Sequence, residues 1–81
     1  MVDKIYEFQG KDITMNMFIQ IRAVVDELQK RLKISFEEAM LLFYRSETYK
    51  TLQQTENALW AESAEYITDM VLEENSKKEI I

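Results

Sequence analysis

Glu62, Glu65, Asp69, Glu73 and Glu74 follow one another at spacings of one to four residues, so that several can share one side of a helix. Two carboxylates held close can share a proton or together hold a hard cation. No Asn/Asp/Gly-rich loop frames them, so the plainer reading is a solvated helix face, and no metal is expected. Ser46 and Lys50 have the four-residue spacing at which a lysine amine can approach a serine hydroxyl as its base. A helix N-cap explains Ser46 equally well without catalysis, because an acidic residue follows it within one turn. The chain has no His and no Cys, which removes the usual general base near neutral pH, the commonest metal ligand and any thiolate nucleophile. A Gly-rich phosphate loop is also missing. The expectation is a protein that is not an enzyme and carries no cofactor.

What remains is binding chemistry. Arg45, Thr48, Lys50, Thr51, Gln53 and Gln54 would project from the second of two short helices and are side-chain types that contact phosphates and base edges. Against nucleic acid stand a net charge of −5, the missing turn glycine and a basic set too small for strong counterion release. Aromatic residues offer a different surface. Tyr49, Trp60 and Tyr66 are of the types that anchor interfaces, and Trp60 can equally be a core plug. From Glu56 to Glu74 there are six acidic residues and no basic one, a strip that can dock on a basic partner or simply maintain solubility. The candidate partner-binding residues are therefore Tyr49, Trp60, Glu62, Glu65, Tyr66 and Asp69.

These residues must be positioned by helices. A chain of 81 residues with no Pro and one Gly has almost none of the residues that punctuate hairpins, and it has room for one small core. Residues 13 to 33 place Phe18, Ile21, Val25, Leu28 and Leu32 at alternating spacings of three and four, with Met17 and Val24 widening the stripe. The pattern predicts one long amphipathic helix, N-capped by Asp12 and closed by Lys30, Arg31 and Lys33. Phe18 to Leu32 spans roughly 20 Å at 1.5 Å per residue, which is long enough for a dimer seam. Ser35 and Glu38 have capping-box spacing and start a second helix over residues 36 to 45. Its run "AMLLFY" makes it the expected central, most buried helix. Ser46, Thr55 and Ser63 each precede an acidic residue and read as the starts of three further helical pieces.

Two ends remain. Residues 3 to 8 read as an extended arm or a ragged helix start broken by Gly10, within an arm region of 1 to 11; an extended arm would pair with the chain's own C-terminus or with another copy. Residues 75 to 81 read as a frayed tail. No apolar run is long enough to span a bilayer and no signal-peptide pattern is present, so a cytoplasmic protein with no membrane partner is expected.

The elements "FYRSETY", with Phe43, Tyr44, Ser46, Thr48 and Tyr49, and "ESAEYI", with Glu62, Ser63, Glu65, Tyr66 and Ile67, resemble those of a family of small bacterial proteins classed as a domain of unknown function. The resemblance covers Ile34 to Glu74. It implies an all-helical fold and, for some relatives, genes near putative toxin components; no activity carries across. Relatives commonly have Pro where this chain has Ala64. The expectation is an all-α, single-domain compact bundle of four to five helices with one long N-terminal amphipathic helix. Its function is expected to be that of a protein-interaction module, regulatory or antitoxin-like and dimeric. The competing readings are a helix-turn-helix-like DNA-binding regulator and a structural homo-oligomer.

Overall fold

A computed structural model describes residues 6–78. A small hairpin, β1 (Glu7–Phe8) and β2 (Lys11–Asp12), leads into α1 (Thr14–Leu32), α2 (Phe36–Tyr44), α3 (Glu47–Gln53), two single 3-10 turns (Thr55–Asn57 and Leu59–Ala61) and α4 (Ala64–Lys78). The described residues form an all-α bundle of four helices, the longest of which is the N-terminal one.

Local sequence sets most of the boundaries. Ser35 accepts from Glu38 N–H at 3.1 Å while the Glu38 carboxylate accepts from Ser35 N–H at 3.0 Å, a complete capping box at the start of α2. Ser46 accepts from Tyr49 N–H at 3.0 Å and Ser63 from Tyr66 N–H at 3.1 Å, so both hydroxyls act as N-caps. Thr55 does not. It lies inside the first 3-10 turn, and its hydroxyl donates instead to the Glu7 carbonyl at 2.7 Å, tying that turn to the hairpin. Asp12 is also not the N-cap residue of α1, a position held by Ile13. Its carboxylate still accepts from Thr14 N–H at 2.9 Å, and hydrogen bonding to the Thr14 side chain, followed by this backbone bond, holds it below the usual aspartate range. Lys33 ends α1 in the left-handed region at φ 56°, donating its N–H to the Gln29 carbonyl.

Among the described residues the strand of the arm pairs with the chain just after it and not with α4. Glu7 pairs with Asp12 and Phe8 with Lys11, so the strand folds back on the residues that follow it. Gln9 and Gly10 supply the two positive φ values, 52° and 82°, that a tight two-residue hairpin turn needs. Tyr6, just before β1, is buried; its carbonyl accepts from Ile13 N–H at 2.8 Å and its N–H donates to Thr14 Oγ1 at 2.9 Å. Residues 3 to 5 lie outside the described residues. At the other end, α4 continues helical through Lys78, so residues 75 to 78 of the expected tail belong to the bundle.

The central helix is α1 rather than α2. Met17, Val24, Val25 and Leu28 of α1 are fully or almost fully buried, facing both α2 and α4. In α2 only Ala39 and Phe43 are buried, while Phe36, Leu41 and Tyr44 remain 41–50% exposed. A nine-residue helix at one side of a small bundle has too little core against it to cover an apolar circumference. Leu52, Leu59, Ile67 and Val71 complete the core. Thr68 is also fully buried, its hydroxyl donating to the Ala64 carbonyl at 2.7 Å.

Candidate protein-interaction surface

Two polar clamps fasten α4 and the turn before it to α1. Near the start of α1, Gln20 donates its side-chain amide to the Trp60 carbonyl at 3.0 Å and to the Glu62 carbonyl. Near its end, Arg31 donates to Asp69, to the Glu27 carboxylate at 3.2 Å and to the Glu65 carbonyl at 3.5 Å. Hydrogen bonding to Asp69 is the main reason the Arg31 guanidinium is held above its ordinary pKa. The clamps run in the same order along both segments, so Glu62, Glu65 and Asp69 are laid out beside α1.

Trp60 is half-buried. Its ring meets Phe8 edge to face at 5.5 Å, and its indole N–H donates to the Thr55 carbonyl at 3.2 Å. Trp60 also lines an open groove of about 370 Å³ with Asn16, Ile19, Gln20 and Ala61. Trp60 thus packs against the core while part of it stays accessible at the groove.

On α4, Tyr66, Asp69 and Glu73 occupy one outward face at three- and four-residue spacing, with Glu65 beside them. Tyr66 is 52% exposed. Glu56, Glu62, Glu65 and Glu73 form no ion pair among the described residues, whereas Asp69 is matched by Arg31. Trp60, Glu62, Glu65, Tyr66 and Asp69 thus lie on α4 and in the segment just before it.

Tyr49 is not part of this surface. Its ring packs on Phe43 at 5.1 Å and Tyr44 at 4.9 Å, and its hydroxyl accepts from Gln53, which also donates to the Tyr6 hydroxyl. Burial, followed by the neighbouring Tyr6 and Tyr44, pushes its pKa up. Tyr49 serves as a joint between α2, α3 and the hairpin.

The other chemistry-bearing groups are occupied. The Ser46 hydroxyl donates to the Phe43 carbonyl at 2.6 Å while capping α3, and Lys50 pairs with Glu47 at 3.2 Å, so no Ser-Lys pair is assembled. Glu74 reaches across to α3, accepting from the N–H groups of Glu47 at 2.6 Å and Thr48 at 3.1 Å and from the Thr48 hydroxyl at 3.0 Å. That carboxylate covers the start of α3, and Thr48 is buried, so the helix offered for base contacts presents neither its N-terminus nor Thr48.

Sequence reasoning missed one feature. Met15, Phe18 and Ile19 form a ridge on the outer face of α1, exposed by 67%, 42% and 63%. Phe18 and Leu32 belong to the stripe that the periodicity marks, yet both stay partly in solvent. The available signal was an excess: α1 carries more apolar residues than one helix stripe can bury.

The geometry defines a small four-helix protein with an exposed aromatic, acidic face. Comparisons with protein-family models, with curated proteins and with solved structures find no match to this chain.

Proposed function

We propose that the protein is a non-catalytic, cytoplasmic interaction module that binds another protein and acts as its regulatory or antitoxin-like partner. The observation that carries this reading is Tyr66, half exposed on α4 beside Glu65 and on the same helix face as Glu73. An aromatic side chain left in water beside carboxylates without ion pairs is an anchor with a polar rim, the pattern of an interface centre. The fixed negative charge steers a basic partner toward it. The regulatory and antitoxin-like part rests on the resemblance of Ile34 to Glu74 to relatives encoded near putative toxin components. No helix among the described residues is long and apolar enough to cross a membrane.

The test is affinity capture from native lysate at low and moderate salt, with the full chain and with folded Tyr66→Ala and Glu65→Lys variants. One stoichiometric protein retained by the parent chain and lost by both variants is expected. Recovery of nucleic acid that washes off with salt would replace this reading with the DNA-regulator one, since phosphate contacts weaken steeply with salt. Recovery of the bait alone would leave only self-association.

A further inference from the structure

Met15 is the most exposed large apolar side chain among the described residues, 67% in solvent at the second position of α1 and outside the core. The other described methionines are shielded in grades. Met17, two residues on, is fully buried, while Met40 and Met70 are partly buried against the core. The chain has no Cys, so no thiol competes for two-electron oxidants, and the thioethers are the side chains that such oxidants attack most readily.

We propose that Met15 is a site of reversible oxidation on the folded protein, with hydrogen peroxide or another hydroperoxide as the oxidant. A lone pair on the Met15 sulfur attacks one oxygen of the peroxide. The S–O bond forms as the O–O bond breaks, and the proton on the transferred oxygen passes to the departing hydroxide, which leaves as water. Sulfur is oxidised and the peroxide is reduced. The return step draws on a dithiol through methionine sulfoxide reductases: the oxygen leaves as water and the dithiol becomes a disulfide. The fold makes this site tolerant of its own product. At Met15 the sulfoxide oxygen stands in water, on a side chain that gives no packing to the core. At Met17 the same oxygen would enter the apolar core, where burying a strong acceptor opposes folding. Oxidation at Met15 therefore makes one end of the ridge with Phe18 and Ile19 polar without unfolding the chain.

Timed exposure of the full chain to hydrogen peroxide, quenched with free methionine and followed by trypsin digestion, reads each described methionine. Met15 and Met17 fall in one tryptic peptide, residues 12 to 22, so tandem mass spectrometry compares them free of differences in recovery. In native buffer Met15 should gain oxygen at least about tenfold faster than Met17, because a fully buried sulfur reacts chiefly through transient opening. It should also lead Met40 and Met70. In concentrated urea the four rates should converge. The chain oxidised at Met15 should keep its circular dichroism spectrum and return to its starting mass with dithiothreitol and the two reductases that act on the two sulfoxide epimers. Met15→Leu should remove the fast step and leave the Met17 rate unchanged. Oxidation of Met17, Met40 or Met70 as fast as Met15 in native buffer, loss of helical signal on the first oxidation, or failure of the reductases to repair the folded chain would overturn the proposal.

Discussion

Glu74 shows how much one side chain contributes when it joins two elements. Its carboxylate gives acceptors to two N–H groups at the start of α3 and to the Thr48 hydroxyl, on a helix of only seven residues that could not hold its shape alone. Glu74→Ala should cost about 1–2 kcal/mol, the range for a lost cap, and lower the thermal midpoint by roughly 4–8 °C per kcal/mol for a domain of this size. Glu74→Gln, which keeps one acceptor oxygen, should lose about half as much; melts followed by circular dichroism distinguish them. Tyr49 makes a second prediction at this scale. Its pKa is raised in the folded chain, so the folded state holds the proton more tightly than the unfolded state. Its contribution is complete below the ordinary tyrosine range and is lost as pH rises through the folded value. Urea midpoints should therefore fall on going to alkaline pH, and Tyr49→Phe should flatten that fall. An unchanged slope would remove Tyr49 as the cause.

Among elements, the hairpin is the least expected, since its turn is made by the chain's only glycine and by Gln9 in the left-handed region. A Cβ at Gly10 would meet nothing within 4 Å, so Gly10→Ala tests backbone conformation alone. The substitution should cost about 1 kcal/mol, while Gln9→Asn, which suits a positive φ, should raise the midpoint. Fluorescence of Trp60 gives an independent reading, because the hairpin places Phe8 against its ring. Gly10→Ala should shift its emission to the red as Phe8 loosens, and an unchanged spectrum would mean that the Phe8 contact survives without the turn.

At the scale of the molecule, the helices are held by one shared core with little surplus. Phe43 is fully buried and touches the Tyr49 ring edge to face. Its replacement by Ala should cost about 3–5 kcal/mol, against a total stability of about 4–12 kcal/mol for a chain of this length. The Phe43→Ala chain should unfold at much lower urea, or be partly unfolded in buffer. The Asp69 side of the Arg31–Asp69 pair lies largely in solvent, so breaking the pair should change stability little. What it does supply is alignment, holding α4 beside α1 so that the acidic face keeps its layout.

The sequence by itself determined the fold class, the long first helix, and the starts of α2, α3 and α4, because Ser35 with Glu38, Ser46 with Tyr49, and Ser63 with Tyr66 act within one helical turn. It also placed Trp60, Glu62, Glu65, Tyr66 and Asp69 within one short segment, so their gathering was legible. Only the tertiary structure decided which side of α1 was buried, since Met17 and Val24 versus Phe18 and Leu32 is a question of where α2 and α4 come to rest. It alone made Tyr49 a joint between α2 and α3, set Phe8 against Trp60, and brought Glu74 to Thr48 and Gln20 to Trp60, pairs 26 and 40 residues apart. A cap is specified by neighbours that are always close along the chain. A face or a cross-helix carboxylate is specified by groups that meet only after the core has formed.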